Sequence, residues 1–381
     1  MNSALRTLFR NGPPGKADID TFIGNGAFPL VEGSEITFVY RGAADAVYLH
    51  CWAAGFDSPQ PFQSLIGTDL WISMIELPEG SRIEYKFEME ADGKRHLILD
   101  PLNEIVAHDP FGANSVCQGA GYERPAWTLH DPEAPSGTIG SLSVASSVFG
   151  ETRDASIYVP ALFCSSQRYP LLVVHDGHDY LRYADLKTVL DNLIHRGEIP
   201  QIIVALIQSP ARLKEYAGDD GHANFVAHEL LPQLAQRYPL LDDAESRGIM
   251  GASFGAIAAL HTAWRCPGLF HRLLLQSGSF TFDDSGRCHD AAHFDAVVEF
   301  MQAFRETSGE LAGKIYMSCG VYESLIHENR ALVPELQRHG LDVRLEEVRD
   351  AHNWENWRDR LRDGLSWLFP GASAARRSVI F

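Results

Sequence analysis

A serine lies at the centre of a sequence pattern suited to nucleophilic catalysis. Residues 251–255 read Gly-Ala-Ser-Phe-Gly, the form G-x-S-x-G, directly after a predicted strand and at the start of a predicted helix. A serine on such a turn projects its hydroxyl outward, and side chains two residues away on either side would collide, so glycine is needed there. The pattern therefore predicts Ser253 as the nucleophile of an acyl-transfer reaction. The alternative is a glycine-rich turn that only packs a helix onto a sheet.

A serine hydroxyl needs a base, and α/β-hydrolases place that base last in the chain order serine, acid, histidine. His352 follows the strand predicted at 343–348 and precedes the final predicted helix, so it is the predicted base. His327 and His339 are rivals, but both lie within or beside the helix that follows the preceding strand.

The acid of the triad is expected after the strand predicted at 315–319. Glu323 lies there, at the carboxyl end of the strand, where open α/β sheets place their sites. Its carboxylate would hold the imidazole tautomer and stabilise the imidazolium. Glu328 is a weaker candidate, and Asp350 is interpreted as a loop or capping residue.

Two backbone amides are expected to form an oxyanion hole. One is the N–H of Phe254, directly after the nucleophile. The other is assigned to His178, in the loop after the strand that ends at His175, with Asp179 as the alternative donor. The side chains of His178 and Asp179 would line the pocket or merely cap the helix predicted at 185–196.

The elements that must position these residues alternate in type after about residue 141. Apolar strands of about four to six residues separated by helices predict an α/β domain with a mostly parallel sheet covered on both faces. The predicted strands are 157–159, 170–175, 202–207, 247–250, 273–276, 315–319 and 343–348, and the predicted helices are 185–196, 225–236, 254–264, 291–306, 328–338 and 354–368.

The preceding part of the chain has a different pattern. Short alternating strands separated by turn-rich segments predict an immunoglobulin-like β-sandwich over 34–130. The predicted organisation is an N-terminal extension at 1–33, this sandwich, a linker at 131–140, an α/β-hydrolase domain at 141–371 and a tail at 372–381.

Charge and composition exclude several classes of function. The 381 residues include 32 Lys and Arg against 50 Asp and Glu, a net charge of −18 that disfavours nucleic acid and anionic membranes as partners. There is no apolar run of about 18 residues for a membrane span and no export signal, so the expected location is cytoplasmic. The six cysteines form no C-x-x-C pair and the 16 histidines form no H-E-x-x-H motif, so neither a metal nor another cofactor is expected.

Several motifs of residues 141–370 together resemble the putative-esterase family of α/β-hydrolases, which includes enterochelin (enterobactin), feruloyl and acetylxylan esterases. The matching segments, in order, are 171–177, 212–216, 225–232, the serine turn at 251–255, 276–280 and 352–357. The segments around Trp71, 85–87 and 100–103 also resemble the early-set sandwich that precedes the hydrolase in enterochelin esterases. The resemblance implies hydrolysis of a tri-serine-lactone catecholate siderophore, with release of iron inside the cell.

The resemblance also implies substrate contacts. A ferric tricatecholate is trianionic, so Arg212 and Lys214 are candidate contacts, together with Arg153 or Arg330, and Phe280 lies in a matching motif. Arg212 could instead pair with Glu215 or another acid and brace a loop. The sequence departs from the family at 281–282, Thr-Phe in place of a frequent tryptophan pair, and at 350–351, Asp-Ala in place of Gly-Gly.

Two other functions are open to the sequence. One is a feruloyl- or acetyl-type carbohydrate esterase whose sandwich binds glycans through Trp52, Trp71 and Tyr85, although these rings would equally pack a core. The other is a binding or scaffold protein on an inactive hydrolase fold. The expected partner is a small-molecule ester, and the oligomeric state, including a homo-oligomer, is open.

Overall fold

The computed structural model describes residues 2–51, 58–282, 292–307, 311 and 313–373, except for the side chains of 292 and 293. Trp52 and Cys288 therefore lie outside the described residues. The chain forms two compact units. The first contains the chain up to Arg124 together with Gly320–Glu323 and Val348–Asn353, and the second contains the remaining described residues.

The first unit begins with two helices and continues as antiparallel β-structure. The helices are α1 (Ser3–Leu8) and α2 (Lys16–Asn25). The strands are β1 (Leu30–Glu32), β2 (Glu35–Arg41), β3 (Ala46–Cys51), β4 (Gln60–Pro61), β5 (Gln63–Ser64), β6 (Leu70–Glu76), β7 (Arg82–Ala91), β8 (Lys94–Ile98), β9 (Val106–Asp109) and β10 (Gly112–Gln118). One sheet has the order β1-β2-β6-β5, and the other has the order β4-β3-β7-β10-β9, with β8 paired to β7.

These two sheets share a core because each buries one face of its strands. Phe38 of β2 packs edge-on against Tyr85 of β7, with ring centroids 4.7 Å apart, and both side chains are fully buried. Leu5 of α1 and Ile19 of α2 join a second cluster that includes Val39 of β2. The N-terminal helices thus share this cluster with strands β1, β2 and β6, a packing that the alternating pattern of the strands did not predict.

The second unit is built on an eight-stranded sheet with helices in most of its connections. Its strands are β11 (Thr138–Ser146), β12 (Glu151–Val159), β13 (Leu171–Val174), β14 (Ile203–Ile207), β15 (Arg247–Ala252), β16 (Arg272–Gln276), β17 (Lys314–Gly320) and β18 (Asp342–Val348), in the order β11-β12-β14-β13-β15-β16-β17-β18. The strands from β14 to β17 are parallel, whereas β11 and β12 join this core in antiparallel pairs.

Helices lie on both faces of this sheet. They are α3 (Gly177–Tyr183), α4 (Leu186–His195), α5 (Arg212–Glu215), α6 (Asp220–Asn224), α7 (Leu231–Arg237), α8 (Phe254–Arg265), α9 (Ala292–Glu306), α10 (Ile326–Arg338) and α11 (Trp354–Leu368), with a π-helical segment at Phe225–Leu230. Leu171 and Val173 of β13 enter one core cluster, and Leu172 and Val174 enter the other. Burial on both faces explains why these strands are continuous apolar runs, and the architecture is that of an α/β-hydrolase.

Two strands at the antiparallel edge of the second unit's sheet also differ from the predicted elements. β11 begins at Thr138, inside the segment interpreted as a linker, and β12 is nine residues long where only 157–159 was predicted. Much of each strand is exposed and consists of small polar residues, so the alternation of apolar and polar residues that marks a strand is weak there. Among the described residues, no helix combines the length and the apolar character needed to cross a membrane.

Candidate active site

Ser253 occupies a strained turn between β15 and α8. Its backbone has φ 57° and ψ −121°, a conformation that L-residues rarely adopt, and its side chain is partly exposed. A Cβ at Gly251 would lie 2.4 Å from the backbone of Gly255, and one at Gly255 would lie 3.1 Å from a carboxylate oxygen of Asp176. Gly251 is therefore required for the chain to pass so closely, a side chain at Gly255 would have to displace Asp176, and the turn holds Ser253 at the carboxyl end of β15.

The two backbone amides predicted to bind an oxyanion lie in the first turns of helices that follow neighbouring parallel strands. Phe254 is the first residue of α8 after β15, and His178 is the second residue of α3 after β13. The first N–H groups of a helix have no acceptor within it, so both amides are available as donors. The His178 side chain is exposed and lies 3.2 Å from the Ser156 hydroxyl, while Asp179 accepts a hydrogen bond from the Gln208 amide.

An acid and a histidine form a close pair in the first unit. His352 Nδ1 lies 2.7 Å from Glu323 Oε2, and the Glu323 side chain is 1% exposed against 38% for His352. Because an ionised carboxylate only accepts hydrogen bonds, the pair places the imidazole proton on Nδ1 and leaves Nε2 as the proton acceptor. The other oxygen of Glu323, Oε1, accepts the N–H of Gly320 at 2.8 Å.

The rival acid and bases occupy other places. His327 and Glu328 are in the first turn of α10, and His339 follows its last residue. Asp350 is buried and accepts the N–H of Ala351, the next residue along the chain. Ser253 belongs to the second unit, whereas Glu323 and His352 belong to segments of the first.

Arg212 is held by a buried carboxylate directly behind the nucleophile turn. Its Nε and Nη2 donate to both oxygens of Asp176, at 2.8 and 2.7 Å, and Nη2 also approaches the Ala252 carbonyl at 3.4 Å. Asp176 follows β13 with a left-handed φ of 51°, and burial raises the pKa of its carboxyl despite the guanidinium. Arg212 therefore braces the loop after β13 against the residue before Ser253, with Asp176 rather than Glu215 as its partner.

The other candidate contacts for an anion differ in how they are paired. Arg153 donates two hydrogen bonds to Glu215, and Arg330 pairs with Glu347. Lys214 is exposed, and within the described part of the chain it makes no ion pair. Phe280 is fully buried in the core of the second unit.

A buried histidine pair beneath the nucleophile turn was not predicted. His175 donates from Nδ1 to the Met250 carbonyl, and its Nε2 lies 3.0 Å from Nε2 of His222. Burial lowers the pKa of His175 to about 4 and the pKa of His222 well below its usual value, so both rings are neutral. His175 sits against Gly255, 3.2 Å from where a Cβ there would lie. No spacing in the sequence relates these two histidines.

Comparison with known proteins agrees with this fold. The family model described as "Putative esterase" matches residues 146–368. The iron(III) enterobactin esterase of Escherichia coli O6:H1 (strain CFT073) is 26% identical over 338 residues, 81% of each chain, and that of Dickeya dadantii is 25% identical over 361 residues, 82% of this chain and 80% of its own.

Solved structures show the same fold. The enterobactin esterase from Shigella flexneri, solved in the presence of enterobactin, superposes with a TM-score of 0.74 at 23% identity and covers 92% of this chain and 97% of its own. A ferulic acid esterase gives a TM-score of 0.54 at 18% identity over 61% of this chain and 98% of its own. The family match spans more than half of the sequence and includes the serine turn, Glu323 and His352. The chain therefore belongs to the Putative esterase family, and it is an ester hydrolase with an α/β-hydrolase fold.

Proposed function

We propose that this chain hydrolyses the ester bonds of an enterobactin-type catecholate trilactone through an acyl-enzyme on Ser253. The observation that supports the chemistry best is the buried carboxylate of Glu323 at 2.7 Å from His352 Nδ1, the arrangement of a base oriented for proton transfer. The substrate class follows the two iron(III) enterobactin esterases, which are similar to this chain over about four fifths of its length.

The proposed triad is Ser253, Glu323 and His352. In chain order they follow β15, β17 and β18, which lie close together in the sheet order β15-β16-β17-β18. Serine, acid and histidine in this order, each after a strand, match the order of α/β-hydrolases. This order supports the proposed roles of Ser253 as nucleophile, Glu323 as acid and His352 as base.

In the proposed mechanism, the Ser253 hydroxyl attacks an ester carbonyl while His352 Nε2 takes its proton. The tetrahedral oxyanion is held by the N–H groups of Phe254 and His178, each donor contributing about 3–4 kcal/mol to transition-state stabilisation. His352 Nε2 then gives this proton to the serine oxygen that leaves the lactone, and water repeats the sequence on the acyl-enzyme. Three such cycles would cut the three esters of a trilactone.

The proposed contacts of the anionic substrate are ranked by their pairing. Lys214 is exposed and, unlike the three arginines, makes no ion pair with a described residue, so we propose that its ammonium group binds the catecholate groups. The Arg212 charge is balanced by Asp176, and its role is to brace the site with about a third of its side chain accessible. We also propose Asp179, the residue after His178, as a substrate contact, and Phe280, which is fully buried, as a support for the site from the core.

Serine replacement tests this proposal. In Ser253→Ala, hydrolysis of enterobactin and its iron(III) complex, followed by chromatography of the linear trimer, dimer and monomer, should fall by roughly 10⁴-fold or more. Ser166→Ala, a change at a solvent-exposed serine, serves as the control and should retain wild-type rates. Turnover near wild type in Ser253→Ala would refute the mechanism.

A carbohydrate esterase is the second candidate. An acetyl esterase of Caldicellulosiruptor saccharolyticus is 38% identical over 176 residues, but these cover only 41% of this chain and 64% of its own. Two of the aromatic residues considered for glycan binding have partners within the sandwich. Tyr85 is fully buried and donates its hydroxyl proton to Asp100, and the Trp71 indole donates to the Gly42 carbonyl. A substrate panel of trilactones against feruloyl and acetyl sugars decides between the two. A scaffold without activity predicts that a fluorophosphonate leaves Ser253 unlabelled.

We assign the two N-terminal sheets to an early-set, immunoglobulin-like sandwich, with domain bounds of 34–130 and 141–371. Face-to-face packing of two antiparallel sheets around Phe38 and Tyr85 supports this assignment. A cytoplasmic location stays a prediction from the sequence.

A further inference from the structure

The segments that contain Glu323 and His352 are anchored to the start of strand β7. Gly320–Glu323 and Val348–Asn353 are grouped with the N-terminal residues in the first unit. Two consecutive residues, Ser81 and Arg82, make hydrogen bonds to both segments, and both residues are fully buried.

Arg82 binds the segment that contains the histidine. Its Nη1 donates to Asn353 Oδ1 at 3.0 Å and to Asp350 Oδ1 at 3.4 Å, and Nη2 donates to Glu84 Oε1 at 3.0 Å. Its backbone N–H donates to the Arg349 carbonyl at 2.9 Å. The Arg82 guanidinium thus links Glu84, in the same strand β7, to residues on both sides of His352.

The segment that contains His352 also forms internal hydrogen bonds next to this guanidinium. Asp350 Oδ1 also accepts the Ala351 N–H at 2.7 Å and the Asn353 side-chain amide at 2.8 Å. Burial raises the pKa of Asp350 to about 6, and the Arg82 charge opposes that rise. A buried carboxylate in this position depends on its cation, because an unpaired charge away from water is costly.

Ser81 binds the segment that contains the acid. Its hydroxyl donates to the Pro78 carbonyl at 2.6 Å, so the Tyr322 hydroxyl, at 2.6 Å, is the donor to Ser81. Tyr322 also packs against the core cluster shared by the two sheets, and its N–H donates to the Asp350 carbonyl at 3.2 Å. This last bond joins the acid segment to the histidine segment directly beside Glu323.

We propose that Arg82 is a positioning residue for ester hydrolysis, one that holds the His352 segment in register with Glu323 while Ser81 holds the acid segment through Tyr322. The inference rests on the proposed triad and deepens it, since it gives the N-terminal β-structure a part in the reaction. Arg82 touches neither substrate nor the reacting atoms, so its effect passes through the orientation of the imidazole. Displacing a catalytic group by about 1 Å can reduce a rate by roughly 10²-fold.

The test compares Arg82→Met with Arg95→Met. Arg95 also belongs to the β7 sheet and pairs with Glu88 and Glu90, but its side chain is 60% exposed and contacts neither segment. On a small activated ester, Arg82→Met should reduce kcat by about 10- to 100-fold and change KM by less than about threefold. The rate of fluorophosphonate labelling at Ser253 should fall in parallel, and Arg95→Met should match the wild type.

A second variant and a spectroscopic signature keep the test decisive. Asn353→Ala removes one acceptor of Arg82 while Glu84 and Asp350 remain to pair with it, so this variant decides if Arg82→Met does not fold. Both variants should shift or broaden the low-field proton resonance of His352 Nδ1–H. A mutation that only lowers the free energy of unfolding would leave this resonance unchanged in the molecules that remain folded. Tyr322→Phe should reduce kcat by about 3- to 10-fold through the acid segment.

A folded Arg82→Met or Asn353→Ala with wild-type kcat, labelling rate and low-field resonance would overturn the positioning role. The outcome is separable from that of the triad. If Ser253→Ala is inactive while these variants behave as wild type, only the positioning role fails, whereas an active Ser253→Ala removes the triad itself.

Discussion

The positions of protons on individual side chains determine which groups of the proposed site can act as a base. The Glu323 carboxylate accepts a hydrogen bond from His352 Nδ1, which leaves Nε2 as the unprotonated nitrogen of the ring. The pair of His175 and His222 is buried and neutral, and it supports the strand before Ser253 through the hydrogen bond from His175 to the Met250 carbonyl.

Replacing the carboxylate while keeping its shape tests the acid. In Glu323→Gln the amide cannot hold the Nδ1 proton as an ionised carboxylate does, so kcat should fall by roughly 10²- to 10⁴-fold. Glu328→Gln, the same change at the rival acid in α10, should stay within about threefold of the wild type. Steady-state hydrolysis of a small ester measures both. A larger loss in Glu328→Gln than in Glu323→Gln would reassign the acid.

At the scale of elements, close backbone approach shapes the site. Gly251 in β15 lies directly against the first turn of α8, and Gly320 at the end of β17 lies against the Asp350 carbonyl, 2.2 Å from where a Cβ would be. Neither position has room for a methyl group. The turns after β15 and β17 therefore depend on glycine where strands and helices meet most tightly.

Gly251→Ala should destabilise the fold because its Cβ would lie 2.4 Å from backbone atoms that cannot move aside as a side chain does. We expect a loss of about 1–3 kcal/mol in the free energy of unfolding, measured by urea denaturation. Gly140→Ala in β11 is the matched control, since its Cβ would meet only the Ile157 carbonyl at 4.0 Å. Equal stability of the two variants would contradict this account of the turn.

The elements that the sequence predicted well are those with a strong local pattern. The strand at 202–207 and the helix at 254–264 agree with β14 and α8 to within one residue at each end, because apolar runs and a glycine-flanked start are local signals. Glu323 and His352 were predicted from their positions after successive strands, and their side chains lie 2.7 Å apart in the structure. The hydrogen bond from Arg82 to Asp350 spans 268 positions, and no local pattern encodes such a pairing.

At the scale of the whole molecule, buried titratable groups link stability to pH. Burial lowers the pKa of His261 to about 4, as it does for His175, so these rings stay neutral in the folded state. In the unfolded chain they bind protons below about pH 6.5. Their contribution to stability is therefore complete above that pH and is lost as the pH falls towards 4. Asp350, whose pKa is raised to about 6, has the opposite dependence, and its contribution decreases as the pH rises from about 4 to 6.

His261→Gln tests this linkage away from the proposed site. Between pH 6.5 and 4 the variant should lose up to about 1.4 kcal/mol per pH unit less than the wild type, since one proton uptake on unfolding is removed. Urea denaturation at several pH values gives the slopes. His228→Gln, at an exposed histidine, should leave the slope unchanged, and parallel lines for His261→Gln and the wild type would contradict the assignment.

The grouping of residues 320–323 and 348–353 with the N-terminal unit limits how the chain can be divided. A cut after Arg124 would strip Asp350 of its cation and Tyr322 of its hydroxyl partner, although both belong to the later half of the sequence. An isolated C-terminal fragment would thus contain, two residues from its proposed base, a carboxyl group that has lost its cation. Anyone seeking a minimal catalyst from this scaffold would first have to redesign those two loops.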